Sequence, residues 1–338
     1  MIIKPFNLKT YNTFGFSVNA FGGVVILTVA QLRDAMMFAR ANRLPIVPIG
    51  GGSNIILKNN LAHLALIIRI PGIELMVEDE RHVYIRVGAG VEWDDLVAYS
   101  LAQGWFGLEN LSIIPGTVGA CPIQNVGAYG VEIKDFLHEL SAFDSISFEE
   151  KKFTNRDCRF QYRNSVFKNE YKDKYIITSV TFRLNKQPAV NVTDINLQKE
   201  LSAIAKEQIT PQLVRQAVIA VRTRRLPKVA DIGNAGSFYM NPIVNEQVFT
   251  PIFHQYNNLL FTRLGENQFK ISAGWLIDQC GWKGYRENSV GVYEHNPLIL
   301  VNFGAGTGDL LVALSQKIQD SVYNNFGVNL IVEPRIYD

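Results

Sequence analysis

Gly104 to Gly130 reads GWFGLENLSIIPGTVGACPIQNVGAYG, with six glycines, two prolines and one charged residue, Glu109. The stretch is too broken for a long helix or strand and too apolar for a solvated loop. Glycine permits close backbone approach and left-handed dihedrals, and successive N–H groups can form a nest for an anion. A pyrophosphate can thus be held here without lysine or arginine. A buried structural loop that needs tight turns is the competing reading, and composition does not separate the two.

The whole chain narrows the context. Its 338 residues are long for one core, so two or three domains are expected. With 47% hydrophobic and 19% charged residues it reads as globular protein, and a net charge of +2 gives no reason to expect nucleic acid or an acidic membrane as partner. Cys121, Cys158 and Cys280 lie far apart without C-x-x-C spacing. That argues against a disulfide framework and a cysteine metal site, and suits a reducing cytoplasm. Met1 to Thr10 has no signal-peptide core, and no apolar run approaches the roughly 18 residues of a membrane span. A cytosolic location is expected.

Strands and helices alternate around the opening stretch. Val24 to Val29 reads as a strand, and Leu32, Ala35, Met36 and Ala39 follow at the spacing of one helix face. Asn42 and Pro45 stop that helix, and Ile46 to Ile49 and Leu64 to Ile70 resume strands. Val83, Ile85 and Val87 alternate as in a half-buried strand, as does Tyr175 to Leu184. Trp93, Leu96, Val97 and Leu101 line a helix closed by Gly104. Thr210-Pro211 opens another, ending at Arg222 to Pro227. The last hundred residues offer two helices, from Ser272 to Gly281 and from Leu311 to about Gly327, with a strand at Pro297 to Asn302. The class is mixed α and β.

Other segments carry weaker signals. Gly50-Gly51-Gly52-Ser53-Asn54 follows a strand but is neither a dinucleotide fingerprint nor a P-loop. Gly304 to Gly308 imitates a nucleotide turn, but too little chain follows it for the units such a fold requires, so a plain helix entry is expected. Ser237 lies in a turn without the nucleophile-elbow pattern; it is either a backbone cap or a positioned hydroxyl that donates a proton. Glu294-His295 reads as a surface pair, and Arg222 to Arg225 as a helix end whose cations suit the dipole or hold phosphates.

These residues resemble the UDP-N-acetylenolpyruvoylglucosamine reductase family, in its long-loop branch. The likeness runs nearly end to end, through Tyr11 to Gly15, Gly50 to Asn54, Gly107 to Ile133, Cys158 to Ser165, Gly233 to Phe238, Ala273 to Cys280 and Val332 to Pro334. It implies an α+β fold: a vanillyl-alcohol-oxidase-type FAD-binding region in two subdomains, 1–70 and 71–210, and an α/β substrate domain at 211–338. It further implies a cytoplasmic, monomeric enzyme using non-covalent FAD, NADPH as electron donor and a UDP-sugar substrate, without a metal. By motif match, Arg163 is the carboxylate-stabilising arginine, Ser237 the proton donor and Glu333 the catalytic acid. FAD falls to Gly50, Gly51, Gly52, Ser53, Asn54, Pro115, Gly116, Gly119, Ala120, Gln124, Asn125, Gly127, Ala128, Tyr129, Gly130 and Arg222. Tyr162, Arg225 and Asn241 match substrate contacts. Three positions depart from the pattern: Gln187 to Thr193 lacks the family's tyrosine, Met240 replaces a lysine, and Arg225 stands for a lysine. The alternatives are an oxidase of the same fold, for which Cys121 leaves a small opening to a covalent flavin, and a nucleotide-binding protein without catalysis.

Overall fold

The computed structural model describes residues 4–338, so the first three positions of the Met1–Thr10 stretch lie outside the described residues. The chain divides into two compact units. One takes in the residues up to Phe6, Ala20–Gly52 and Ala62–Arg224; the other Asn7–Asn19, Ser53–Leu61 and Arg225–Asp338.

The first unit carries helix α1 (Val29–Ala41), whose Leu32, Ala35, Met36 and Ala39 are all buried. Burying Leu32 and Met36 stabilises the unit by roughly 1.5–3 kcal/mol each. The preceding strand ends at Ile26, not Val29 as the sequence suggests. The reason is local: the Thr28 hydroxyl accepts the Gln31 N–H and so starts the helix at Val29. The strands Ile46–Ile49 and Leu61–Ile68 run parallel beside it.

A second, antiparallel sheet has the order Glu150–Thr154, Leu137–Asp144, Tyr175–Asn185, His82–Gly88, Ile73–Glu78. Tyr175–Asn185 is buried on both faces rather than half-buried. Ile176 packs with Phe143 against the α1 cluster, while Ile177 and Phe182 join a larger core. That larger core contains Val83, Ile85, Val87, helix α2 (Trp93–Ala102) and Leu108, Leu111, Val118 and Cys121 of the glycine-rich stretch. The stretch is therefore laid over a sheet, which explains its apolar composition. A third cluster joins the short helix α3 (Ile195–Glu200) to α4 (Pro211–Arg225), with Tyr129, Val190 and Val192 packed on it.

The second unit is built on a four-stranded sheet, Gly233–Ser237, Ile299–Asn302, Val290–Val292 and Arg286–Glu287. Helix α5 (Glu246–Gln255), which the sequence reading omits, carries Pro251 inside it and packs Phe249 on Phe269 at 3.9 Å between ring centroids. Helices α6 (Ala273–Gln279) and α7 (Gly308–Phe326) stand where expected, capped by Ser272 and Thr307. Ile55–Leu57 pairs in parallel with Arg335–Tyr337, tying an early segment to the end of the chain. Gly308 is required there, because a side chain would meet the Leu57 carbonyl at 2.1 Å. The Gly304–Gly308 turn is thus a helix entry packed on backbone, as expected.

Candidate functional site

In the first unit, the turn at Gly50–Gly51 faces the loop Pro115–Thr117. A Cβ on Gly50 would lie 2.4 Å from the Thr117 hydroxyl oxygen, and one on Gly51 2.6 Å from the Gly116 α carbon. Glycine at both positions lets the two turns touch backbone to backbone, and Gly116 itself has φ +124°. Arg69, absent from the sequence reading, braces this turn by donating to the Gly50 carbonyl at 3.0 Å. Its only sequence signal was a cation at the end of an apolar strand.

The glycine-rich stretch continues as a 3-10 turn, Val118–Gln124, closed by Asn125 at φ +49°. Buried Asn125 holds its surroundings through its amide. Nδ2 donates to Glu132 at 2.8 Å and to the Gln161 carbonyl at 3.1 Å, and Oδ1 accepts the Lys134 N–H at 3.2 Å. Gly127–Ala128 and Val131–Glu132 form a hairpin whose central residues, Tyr129 and Gly130, both have positive φ, as a primed turn requires. One expectation narrows. The N–H groups of Val118, Gly119 and Ala120 are engaged by the carbonyls of Val91, Ala89 and Thr117. Those three N–H groups are not free for an anion nest, and the closest backbone approach in this part is between the turns at Gly50–Gly51 and Gly116–Thr117.

Arg222 on α4 donates to the Tyr129 hydroxyl, and its buried Nε has no hydrogen-bond partner among the described residues. Burial pulls this guanidinium below the ordinary arginine range, against Tyr129 and the charge of Asp94. A buried donor without a partner is the kind of group an acceptor-rich ligand satisfies. The residues of this unit therefore fit FAD: touching glycine turns for close backbone approach, and a half-buried arginine beside the hairpin with its Nε unpaired among the described residues.

Tyr162 and Arg163 are the central residues of a tight turn closed by Gln161 and Asn164, with Arg163 at φ +51°. Arg163 Nη2 donates to the Gly127 carbonyl at 2.6 Å, and its guanidinium lies 5.2 Å from the Tyr162 ring centroid. The structure thus brings Tyr162 and Arg163 onto the hairpin that carries Tyr129. Gln187–Thr193, lacking the tyrosine, packs instead. Val190 and Val192 join the α4 cluster, and Asn191 donates to the Gly130 carbonyl at 3.2 Å.

In the second unit, Ser237 is exposed at the end of its strand, opposite Ile299. Gly236 before it has φ +67°, and its N–H is held by the Asn234 side chain at 3.0 Å. The next residues pair antiparallel with the end of the chain. Glu333 donates its N–H to the Phe238 carbonyl at 2.9 Å, Tyr239 bridges Val332, and Met240 donates to the Ile331 carbonyl at 2.9 Å. Ser237 and Glu333, 96 residues apart in sequence, therefore stand within one register step of each other. Asn241 Oδ1 accepts the Ala273 N–H at the start of α6, at 2.9 Å. Arg225 is exposed at the end of α4, its carbonyl accepting from Asn296 at 3.5 Å. Ser53 and Asn54 also belong to this unit, and the Asn54 carbonyl accepts the Arg335 N–H at 2.9 Å. The Tyr11–Gly15 motif is explained here too. The Asn302 amide donates to the Phe14 carbonyl at 2.7 Å, and a side chain at Gly233 would strike that same oxygen.

An FAD-binding domain joined to a C-terminal unit of helices and antiparallel sheets defines a flavoprotein, and a family model described as FAD binding domain matches residues 23–145. A second, UDP-N-acetylenolpyruvoylglucosamine reductase C-terminal domain, matches residues 227–337. The chain is 42% identical to the UDP-N-acetylenolpyruvoylglucosamine reductase of Amoebophilus asiaticus, over 97% of this chain and 96% of the relative. It is also 42% identical to that of Pseudomonas fluorescens, over 98% and 97%. A crystal structure of UDP-N-acetylenolpyruvylglucosamine reductase from Thermus caldophilus superimposes with a TM-score of 0.69 at 22% identity, covering all of both chains. The chain belongs to the UDP-N-acetylenolpyruvoylglucosamine reductase family.

Proposed function

We propose that this protein is a flavoenzyme that uses NADPH to reduce the enolpyruvyl double bond of UDP-N-acetylglucosamine enolpyruvate, forming UDP-N-acetylmuramate for peptidoglycan precursors. The observation that carries this reading is 42% identity to a named reductase over 97% of the chain, with Ser237 and Glu333 brought together by the hydrogen bond from the Glu333 N–H to the Phe238 carbonyl. It acts as a cytoplasmic monomer without nucleic-acid or membrane partners. Among the described residues, no helix is long and apolar enough to cross a membrane. Residues 1–70 and 71–210 serve as the FAD-binding subdomains and 211–338 as the substrate domain.

Bound FAD supplies hydride transfer from NADPH to the substrate's β carbon. Hydride addition there builds negative charge on the α carbon and its carboxylate, which a cation lowers in energy. Arg163, oriented by the Gly127 carbonyl and the Tyr162 ring, supplies that cation. The Ser237 hydroxyl gives its proton to the α carbon, and Glu333 polarises the developing charge. Arg225 meets the diphosphate, and Tyr162 and Asn241 contact the substrate. Gly50 to Asn54, Pro115 to Ala120, Gln124 to Gly130 and Arg222 hold FAD.

Stopped-flow spectroscopy separates the two half-reactions. NADPH should bleach the yellow protein anaerobically, and the enolpyruvyl substrate should restore the colour. A colourless protein that takes up no FAD would overturn the assignment, and rapid reoxidation by oxygen alone would point to an oxidase.

A further inference from the structure

The loop before Pro115 contains a residue in an unfavourable conformation. Ile113 has φ +50°, a region that a β-branched side chain rarely enters. Its N–H donates to Asp94 Oδ1 at 2.7 Å. Asp94 is held in turn by a two-pronged pair with Arg215 of α4, at 2.7 and 2.8 Å. The neighbours of Asp94 grip the same loop on either side of Ile113. Trp93 Nε1 donates to the Leu111 carbonyl at 2.8 Å, its N–H to the Gly116 carbonyl at 2.9 Å, and Val118 donates to the Val91 carbonyl at 2.9 Å.

We propose that Asp94 is a positioning residue for the flavin cradle: by accepting the Ile113 N–H it stabilises the left-handed turn that sets Gly116 against Gly51. The proposal rests on the assignment of that cradle to FAD. Asp94 is suited to the task because its charge is kept. Burial opposes ionisation, but the Arg215 hydrogen bonds and the Ile113 N–H outweigh it and hold the carboxyl below the ordinary range. Without the carboxylate, Ile113 relaxes toward negative φ and shifts the loop it precedes. Glycine at 113 adopts the left-handed conformation without a partner.

The test is FAD titration of the deflavinated full-length protein, read by flavin fluorescence, with circular dichroism confirming the fold of each variant. Asp94→Ala should weaken FAD binding about tenfold or more. Asp94→Asn keeps an acceptor for Ile113 and should stay within about threefold of the unaltered protein. The double variant Asp94→Ala with Ile113→Gly should return to within about threefold as well. Unchanged affinity in Asp94→Ala, or no recovery with glycine, overturns the proposal. If Asp94→Ala does not fold, Arg215→Ala decides. It takes away the partner that holds Asp94 charged and in place, so affinity should fall about threefold or more and recover when Ile113→Gly is added, and unchanged affinity or no recovery overturns the proposal. An unaltered protein that takes up no FAD would refute the cradle assignment instead.

Discussion

Gly51 and Gly116 approach so closely that a methyl group on Gly51 would lie 2.6 Å from the Gly116 α carbon. Real Cβ atoms do not come that near backbone, so one turn must move. Gly51→Ala is expected to weaken FAD binding at least about tenfold and to destabilise the fold by about 1–3 kcal/mol. Flavin titration and thermal unfolding check both, and ordinary FAD affinity in the variant would place the cofactor elsewhere.

Ser237 is exposed on a strand end whose next residue accepts a hydrogen bond from Glu333. Ser237→Ala should leave flavin reduction by NADPH intact and lower enolpyruvyl turnover by about 10²–10⁴-fold, the usual worth of a positioned acid. The stopped-flow traces read the two steps apart. Unchanged turnover would remove Ser237 from the mechanism.

Cys121 is buried, its thiol donating to the Thr117 carbonyl at 3.5 Å. Burial pushes it well above the ordinary thiol range, so the thiolate a covalent flavin bond needs is disfavoured. Acid precipitation should release all FAD into the supernatant, and native protein should resist alkylation at Cys121. Flavin retained on a Cys121 peptide would contradict this and reopen the oxidase reading.

Glu109, the one charge in the opening stretch, is buried and accepts the Gly107 N–H at 2.7 Å. Burial raises its carboxyl above the ordinary value of 4.5, with the Gly107 N–H and its own N–H opposing. The folded protein therefore keeps this proton to higher pH than the unfolded chain, and stability falls as pH rises through that window. Glu109→Gln keeps an acceptor but cannot ionise. Its melting temperature relative to the unaltered protein should rise between about pH 4 and pH 8. A difference independent of pH would show that Glu109 stays neutral or pays no burial penalty.

Much of the local structure was readable because it obeys short-range rules. The α1 face, the caps at Ser272 and Thr307 and the glycine closing α7 each depend on residues within a few positions of one another. Helix α5 was missed because Pro251 interrupts its pattern, although Asn245 caps it and its apolar side covers Phe269. The strand Tyr175–Asn185 looked half-buried because alternation says nothing about a second layer on the other face.

The sequence by itself determined the family, since ordered motifs from Tyr11 to Pro334 need no coordinates to be recognised. It also showed that Gly104 to Gly130 is too apolar for a solvated loop. Only the tertiary structure decided what that stretch does with its backbone. Hydrogen bonds to Val91 and Ala89 occupy the middle of it, leaving the facing turns at Gly51 and Gly116 as the close approach. Tertiary structure alone also bonded the residues that follow Ser237 to the segment of Glu333, and tied Ile113 to Asp94 and Arg215. The physical reason is the same in each case. Periodicity and turn chemistry act over a few residues, whereas these partners are joined by strand register and charge pairing across long separations.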